Sequence, residues 1–137
     1  MHFMKKSVLF CCIISLSALS CNKNTDCAIL PDGTYTGTFQ RQVGGNGQIS
    51  NVTIIFSPGK WTGQSQIEKY PALCHGTFKT IEPEIINFTN DCVWTTEFDG
   101  TLVLNGEYKI KVMGNKIEFS KEYNSRNLKD IYSLTKQ

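Results

Sequence analysis

The stretch "CHGTFKTIEPEIINFTNDC", Cys74 to Cys92, decides the fold. Centred on Pro83, it reads as two strands folded back on each other. Thr80 then faces Ile86, Phe78 faces Phe88, Gly76 faces Asn90 and Cys74 faces Cys92. All of these share one face, because side chains alternate along both strands. The other face carries His75, Thr77 and Lys79 against Asn87, Thr89 and Asp91, polar as a solvated face should be. Opposed residues have Cβ atoms about 4.5–5.5 Å apart, and a disulfide spans about 3.5–4.5 Å. A modest local adjustment therefore closes a Cys74–Cys92 bond. Register alone predicts it, and closing that loop contributes roughly 3 kcal/mol in the chain-entropy account.

The same period of two continues outward in both directions, punctuated by turn residues. Gly33 to Val43 puts Tyr35, Gly37 and Phe39 on one face. After Gly44-Gly45-Asn46-Gly47, the segment Gln48 to Phe56 alternates Val52, Ile54 and Phe56 against polar neighbours. Ser57-Pro58-Gly59-Lys60 turns into a third strand from Trp61 to Ile67. On the far side, Asn105-Gly106 reads as a two-residue hairpin turn joining Thr101–Leu104 to Glu107–Val112, since Asn-Gly is the strongest short hairpin signal. Lys116 to Lys121 and Lys129 to Thr135 complete eight or nine strands. Many short antiparallel strands joined by short links imply an all-β, up-and-down meander closing into a small barrel.

The first twenty residues stand apart. Lys5 and Lys6 precede an uncharged run, Ser7 to Leu19, that has the form of a secretory signal and is too short to span a bilayer. Ala18-Leu19-Ser20-Cys21 resembles the bacterial lipobox, whose cysteine receives a diacylglycerol and becomes the first mature residue. Cys21 is thus the expected lipid anchor. The expected organisation is a signal peptide over 1–20, a lipidated tether over 21–31 and a barrel over 32–137.

Of the 137 residues, losing the first 20 leaves 117, enough for one domain with one core. Losing Lys5 and Lys6 takes the formal charge from +2 to zero. A balanced surface argues against a nucleic-acid partner and leaves acyl chains as the means of membrane contact. Six cysteines divide by position: Cys11 and Cys12 leave with the signal, Cys21 is acylated, and Cys74 pairs with Cys92. Cys27 remains as a free thiol or a link to another chain.

A lipobox, then Asp32-Gly33-Thr34-Tyr35-Thr36-Gly37-Thr38-Phe39, then a meander ending in a tyrosine-bearing strand is similar to the small lipocalin-like lipoproteins of Gram-negative bacteria. In that family Gly-x-Trp opens the first strand, and here Tyr35 stands where Trp would. The resemblance implies an eight-stranded barrel with an apolar cavity, and Arg126 as the arginine packed over the first-strand aromatic. Tyr35, Phe39, Phe78, Phe88, Tyr108 and Phe119 are the rings that would line such a pocket; otherwise they fill the barrel as a solid core.

Chemistry is sparse. His75 is the one histidine beyond the signal, and its register points it outward beside Cys74. A catalytic triad would need it as base, with Asp91 and Thr77 as neighbours; a surface histidine beside a disulfide is the plainer reading. Zinc would need more ligands than this set supplies. Glu97 and Asp99 share a face near Trp94 without a recognisable cleft, and Asp130 reads as an isolated surface charge. Trp61 and Trp94 fall at strand or loop starts, where an indole caps the barrel or meets a partner. No catalytic residue, metal or cofactor is expected. The chain is expected to be an outer-membrane lipoprotein facing the periplasm, binding a small apolar ligand or serving as a structural part. The alternative is an inhibitor of a hydrolase, a protease or lysozyme, acting through its loops.

Overall fold

The computed structural model describes residues 30–137; Cys21 and Cys27 lie outside them. Eight antiparallel strands follow one another round a closed barrel, and the last pairs with the first. They are β1 (Gly33–Val43), β2 (Ile49–Ser57), β3 (Lys60–Ser65), β4 (His75–Glu82), β5 (Ile85–Asn90), β6 (Gly106–Met113), β7 (Lys116–Tyr123) and β8 (Leu128–Lys136). Closure matters energetically, since an open sheet would leave two edges of unpaired backbone groups.

The β4–β5 hairpin has the predicted register, from Gly76↔Asn90 through Phe78↔Phe88 to Thr80↔Ile86. A register shift then brings Glu82 opposite Ile85 and absorbs the turn at Pro83. Just beyond the paired strands, Cys74 and Cys92 form the disulfide, with Cα atoms 6.4 Å apart.

Inward positions of every strand converge on one core. Tyr35, Phe39, Phe56, Phe88, Tyr108, Phe119 and Tyr132 are each at most 2% exposed, and Phe78 packs against them half-buried. The rings touch edge to face or stacked: Phe88 meets Phe119 at 5.1 Å, and Phe119 stacks on Tyr132 at 4.4 Å. Side chains thus occupy the barrel interior, as eight strands allow. Gly37, also inward, is small for a reason. A Cβ there would come within 2.0 Å of the Ser133 carbonyl oxygen on β8, so the glycine lets the closing strands approach.

The two ends differ. The hairpin end carries the tight turns Pro58-Gly59, Pro83 and Gly114-Asn115. Here the chain enters: Leu30 is buried, and the Tyr35 hydroxyl donates to the Pro31 carbonyl at 2.8 Å. The loop end carries the β1–β2 turn, the Gln66–Leu73 connection, a strap from Asp91 to Asn105, and a 3-10 turn at Asn124–Arg126.

Three expectations change. Asn105-Gly106 is not a hairpin turn: β6 begins at Gly106 and pairs with β5, placing Phe88 opposite Gly106. Thr101–Leu104 instead belongs to the strap, crosses the loop end and pairs in parallel with Ala72 through Val103. The Asn105 side chain accepts from the Asn90 amide at 3.1 Å, so tertiary bonding overrides the local turn preference. Second, Trp61 neither caps nor protrudes; it is 1% exposed, its indole N–H donating to the Thr89 carbonyl at 3.3 Å. Third, Asp130 is no surface charge; it is 1% exposed.

Candidate functional site

Arg41 and Asp130 are direct cross-strand partners where β1 meets β8. Both continue the inward lines of their strands, Arg41 after Tyr35 and Phe39, and Asp130 before Tyr132 and Leu134. At the loop end the core therefore finishes in an ion pair. Arg41 Nε donates to Asp130 Oδ1 and Nη2 to Oδ2, each at 2.7 Å, a bidentate geometry. Asp130 is 1% exposed and Arg41 8%. Asp130 is buried because burial follows strand parity, and closure brings the partner that makes the burial of charge tolerable.

The remaining donors of Arg41 hold the strap. Nη1 donates to Asp99 Oδ2 and to the Thr101 hydroxyl, both at 3.0 Å, and Nη2 donates to the Thr101 carbonyl at 3.1 Å. All five N–H donors of the guanidinium are then engaged. Thr101 in turn donates its hydroxyl to Asp99 Oδ1 at 2.7 Å, and Tyr123 donates to the Thr101 carbonyl at 3.1 Å while its ring lies under the guanidinium. Arg126, by contrast, is exposed and reaches only Asp99, at 3.9 Å. Tyr35 is covered by Phe56 instead, so no arginine–aromatic cap of the expected kind forms through Arg126.

The electrostatics follow. Burial alone pulls the Arg41 guanidinium down, but the hydrogen bond and charge of Asp130 outweigh it, with Tyr123 and Asp99 adding, and leave it raised. The bonds from the Thr101 hydroxyl and amide, more than the charge of Arg41, hold the Asp99 carboxyl below its usual value. Burial, then the charge of Asp130, pushes the Tyr123 phenol up to about 12. With its donors used internally, the guanidinium is a tie between wall and strap and has no N–H left for an anion.

The strap has a second fixed point. The Ala72 amide donates to the Leu102 carbonyl at 3.0 Å and the Leu104 amide to the Ala72 carbonyl at 3.3 Å, while Leu104 is fully buried. Its first residues are held by the disulfide and by Asn90. The Asn90 amide nitrogen donates to the Cys92 carbonyl at 2.7 Å, and its oxygen accepts from the Trp94 indole at 3.2 Å. Between these two feet Val93 is 100% exposed.

The six rings expected to line a pocket do meet in one cluster, packed on each other and on Phe56 and Tyr132. His75 is exposed beside the disulfide, as its register requires. His75, Cys74 and Cys92 could be grouped as metal ligands by proximity, but both sulfurs are spent in the disulfide and neither is a thiolate. Outside the barrel, a trough of about 550 Å³ crosses β1, β2 and β3 between two ranks of uncharged side chains, Thr36, Thr53 and Gln64 on one and Thr38, Asn51 and Gln66 on the other.

Parity could have revealed Arg41 and Asp130, since both stand in inward lines. Nothing local marks the strap, because its anchors are residues distant in sequence. Comparison with protein-family models, with curated proteins and with solved structures finds no match for the chain.

Proposed function

We propose that the chain is a non-catalytic, lipid-anchored component of the bacterial outer membrane, facing the periplasm, whose filled barrel is a rigid mount for the loop end. The lipocalin-like lipoprotein reading rests on the lipobox resemblance at Ala18-Leu19-Ser20-Cys21 and on the closed eight-stranded meander. The observation that carries the structural role is the packing of Tyr35, Phe39, Phe78, Phe88, Tyr108 and Phe119 against one another. It favours a structural part over a carrier of a small apolar ligand. Chain direction supports an orientation. Eight residues lie between Cys21 and Leu30, a reach of at most about 30 Å, which favours the hairpin end near the bilayer and the loop end facing away.

The test is direct. Mass spectrometry of the mature protein is expected to find an acylated Cys21 as its first residue, and Cys21→Ala is expected to move the protein from the membrane to the soluble fraction. An unmodified amino terminus, or a membrane fraction unchanged by Cys21→Ala, contradicts the anchoring.

A further inference from the structure

Three metal-ligating side chains meet where β4 begins and β5 ends. The Cys74 and Cys92 sulfurs and a ring nitrogen of His75 all lie within 4.8 Å of one another. What keeps the three residues together does not depend on the sulfur–sulfur bond. The Gly63 amide donates to the Cys74 carbonyl at 2.8 Å, and the Asp91 amide donates to the His75 carbonyl at 3.0 Å. The Asn90 side-chain amide donates to the Cys92 carbonyl at 2.7 Å. Each ligating residue is thus held through its own carbonyl, and the Gly76↔Asn90 pair opens the β4–β5 ladder immediately beyond.

Reduction gives the cluster a different chemistry. The cysteines are half-buried and His75 is exposed, so a reductant can reach the bond. A dithiol of the thioredoxin class supplies two electrons and two protons through a mixed disulfide; it leaves oxidised, and Cys74 and Cys92 are left as thiols. The backbone bonds remain, so the freed sulfurs stay beside His75. Tetrahedral zinc, with zinc–sulfur bonds of about 2.3 Å, wants its sulfurs about 3.8 Å apart. Rotation of the two side chains supplies that separation, because the Cα atoms stand 6.4 Å apart. Zinc displaces one proton from each thiol, and neutral His75 gives the third bond. Three protein ligands with one open position is an arrangement that zinc accepts, two cysteines and a histidine included.

The donor set selects the occupant. Two thiolates and an imidazole suit zinc, whereas calcium and magnesium take oxygen ligands. No carboxylate joins the cluster among the described residues. We propose that Cys74, His75 and Cys92 form a redox-gated zinc site, closed while the disulfide is intact and open to one Zn2+ once it is reduced. The metal then ties the start of the strap to β4 as the disulfide does, so the loop end keeps its anchor in both states. This inference goes beyond the reading of the barrel as a mount and does not depend on how the chain is anchored.

Residues 21–137 include the whole closed barrel, and Cys21→Ala with Cys27→Ser leaves Cys74 and Cys92 as the only cysteines in them. That chain, oxidised or reduced with a phosphine, is titrated with Zn2+ and with Co2+, whose thiolate charge-transfer band reports sulfur ligation. The reduced chain is expected to bind one equivalent at micromolar concentration and to rise in unfolding midpoint; the oxidised chain is expected to bind none. His75→Ala is expected to weaken zinc binding at least about tenfold, since even an outer partner of a metal ligand is worth that much. His75 is exposed, so an unchanged midpoint of the oxidised variant confirms that the fold is intact. The proposal is overturned by a reduced chain that takes up no zinc, including one that unfolds and is not refolded by the metal. Equal uptake by the oxidised chain overturns it too, as does an affinity unchanged by His75→Ala.

Discussion

At the hairpin end, the barrel closes by local means: two-residue turns such as Pro58-Gly59 and Gly114-Asn115 reverse the chain, and rings from neighbouring strands meet beneath them. At the loop end, closure comes from residues far apart in sequence. Arg41 reaches Asp130 and, across the end, Asp99 and Thr101 on the strap, and Ala72 pairs with Leu102 and Leu104. Apolar burial at the first end is non-directional and tolerates substitution of similar volume. A five-donor guanidinium network is all-or-none, because each lost partner leaves a buried polar group unsatisfied.

Breaking the tie should have the largest effect. Arg41→Met leaves Asp130 buried without its counter-charge and is expected to cost about 3–5 kcal/mol in urea unfolding. Adding Asp130→Leu should recover much of that loss, since both charges are then gone. Failure of the double variant to recover would mean that the strap contacts of Arg41, and not the buried pair, dominate. Next, replacing Cys74 and Cys92 by serine should lower stability by about 3 kcal/mol. Hydrogen exchange should speed most at the Leu104 amide and least at the hairpin-end strands. Uniform acceleration would erase the distinction between the ends.

Smaller effects sharpen it. Gly106 has φ +88, a conformation that L side chains rarely adopt, so Gly106→Ala should cost about 1 kcal/mol at the start of β6. Smallest is the acid response of Asp99. Its folded carboxyl is held low, so its contribution to stability is present above the unfolded value near 3.8 and is lost as pH falls through the folded one. Asp99→Asn should therefore lower the unfolding midpoint slightly at pH 6, and the gap to the unsubstituted protein should narrow steadily as the pH is taken below 3.8. A gap that is constant with pH would show that the carboxylate charge is not what holds the strap.

What was legible in the sequence follows the same division. The β4–β5 register could be read because two strands and a turn contain all the information: Phe78 opposite Phe88 requires no knowledge of the rest of the chain. The inward line of β1 is also plain, yet nothing local marks Arg41 on that line as paired, because its partner, Asp130, is 89 residues away. Asn105-Gly106 misled for a related reason. Its dipeptide favours a turn locally, but the Asn105 side chain caps the Asn90 amide, and Gly106 pairs with Phe88.

The central claim is that the barrel is a filled mount whose function lies on its loop end. Diffraction from crystals pressurised with xenon tests it most directly, because xenon enters dry apolar cavities large enough to hold it. The account predicts no xenon among Phe56, Phe88, Phe119 and Tyr132 in the unsubstituted protein, and occupancy there once Phe119→Ala removes a ring. Xenon inside the unsubstituted barrel would contradict it and restore the ligand cavity.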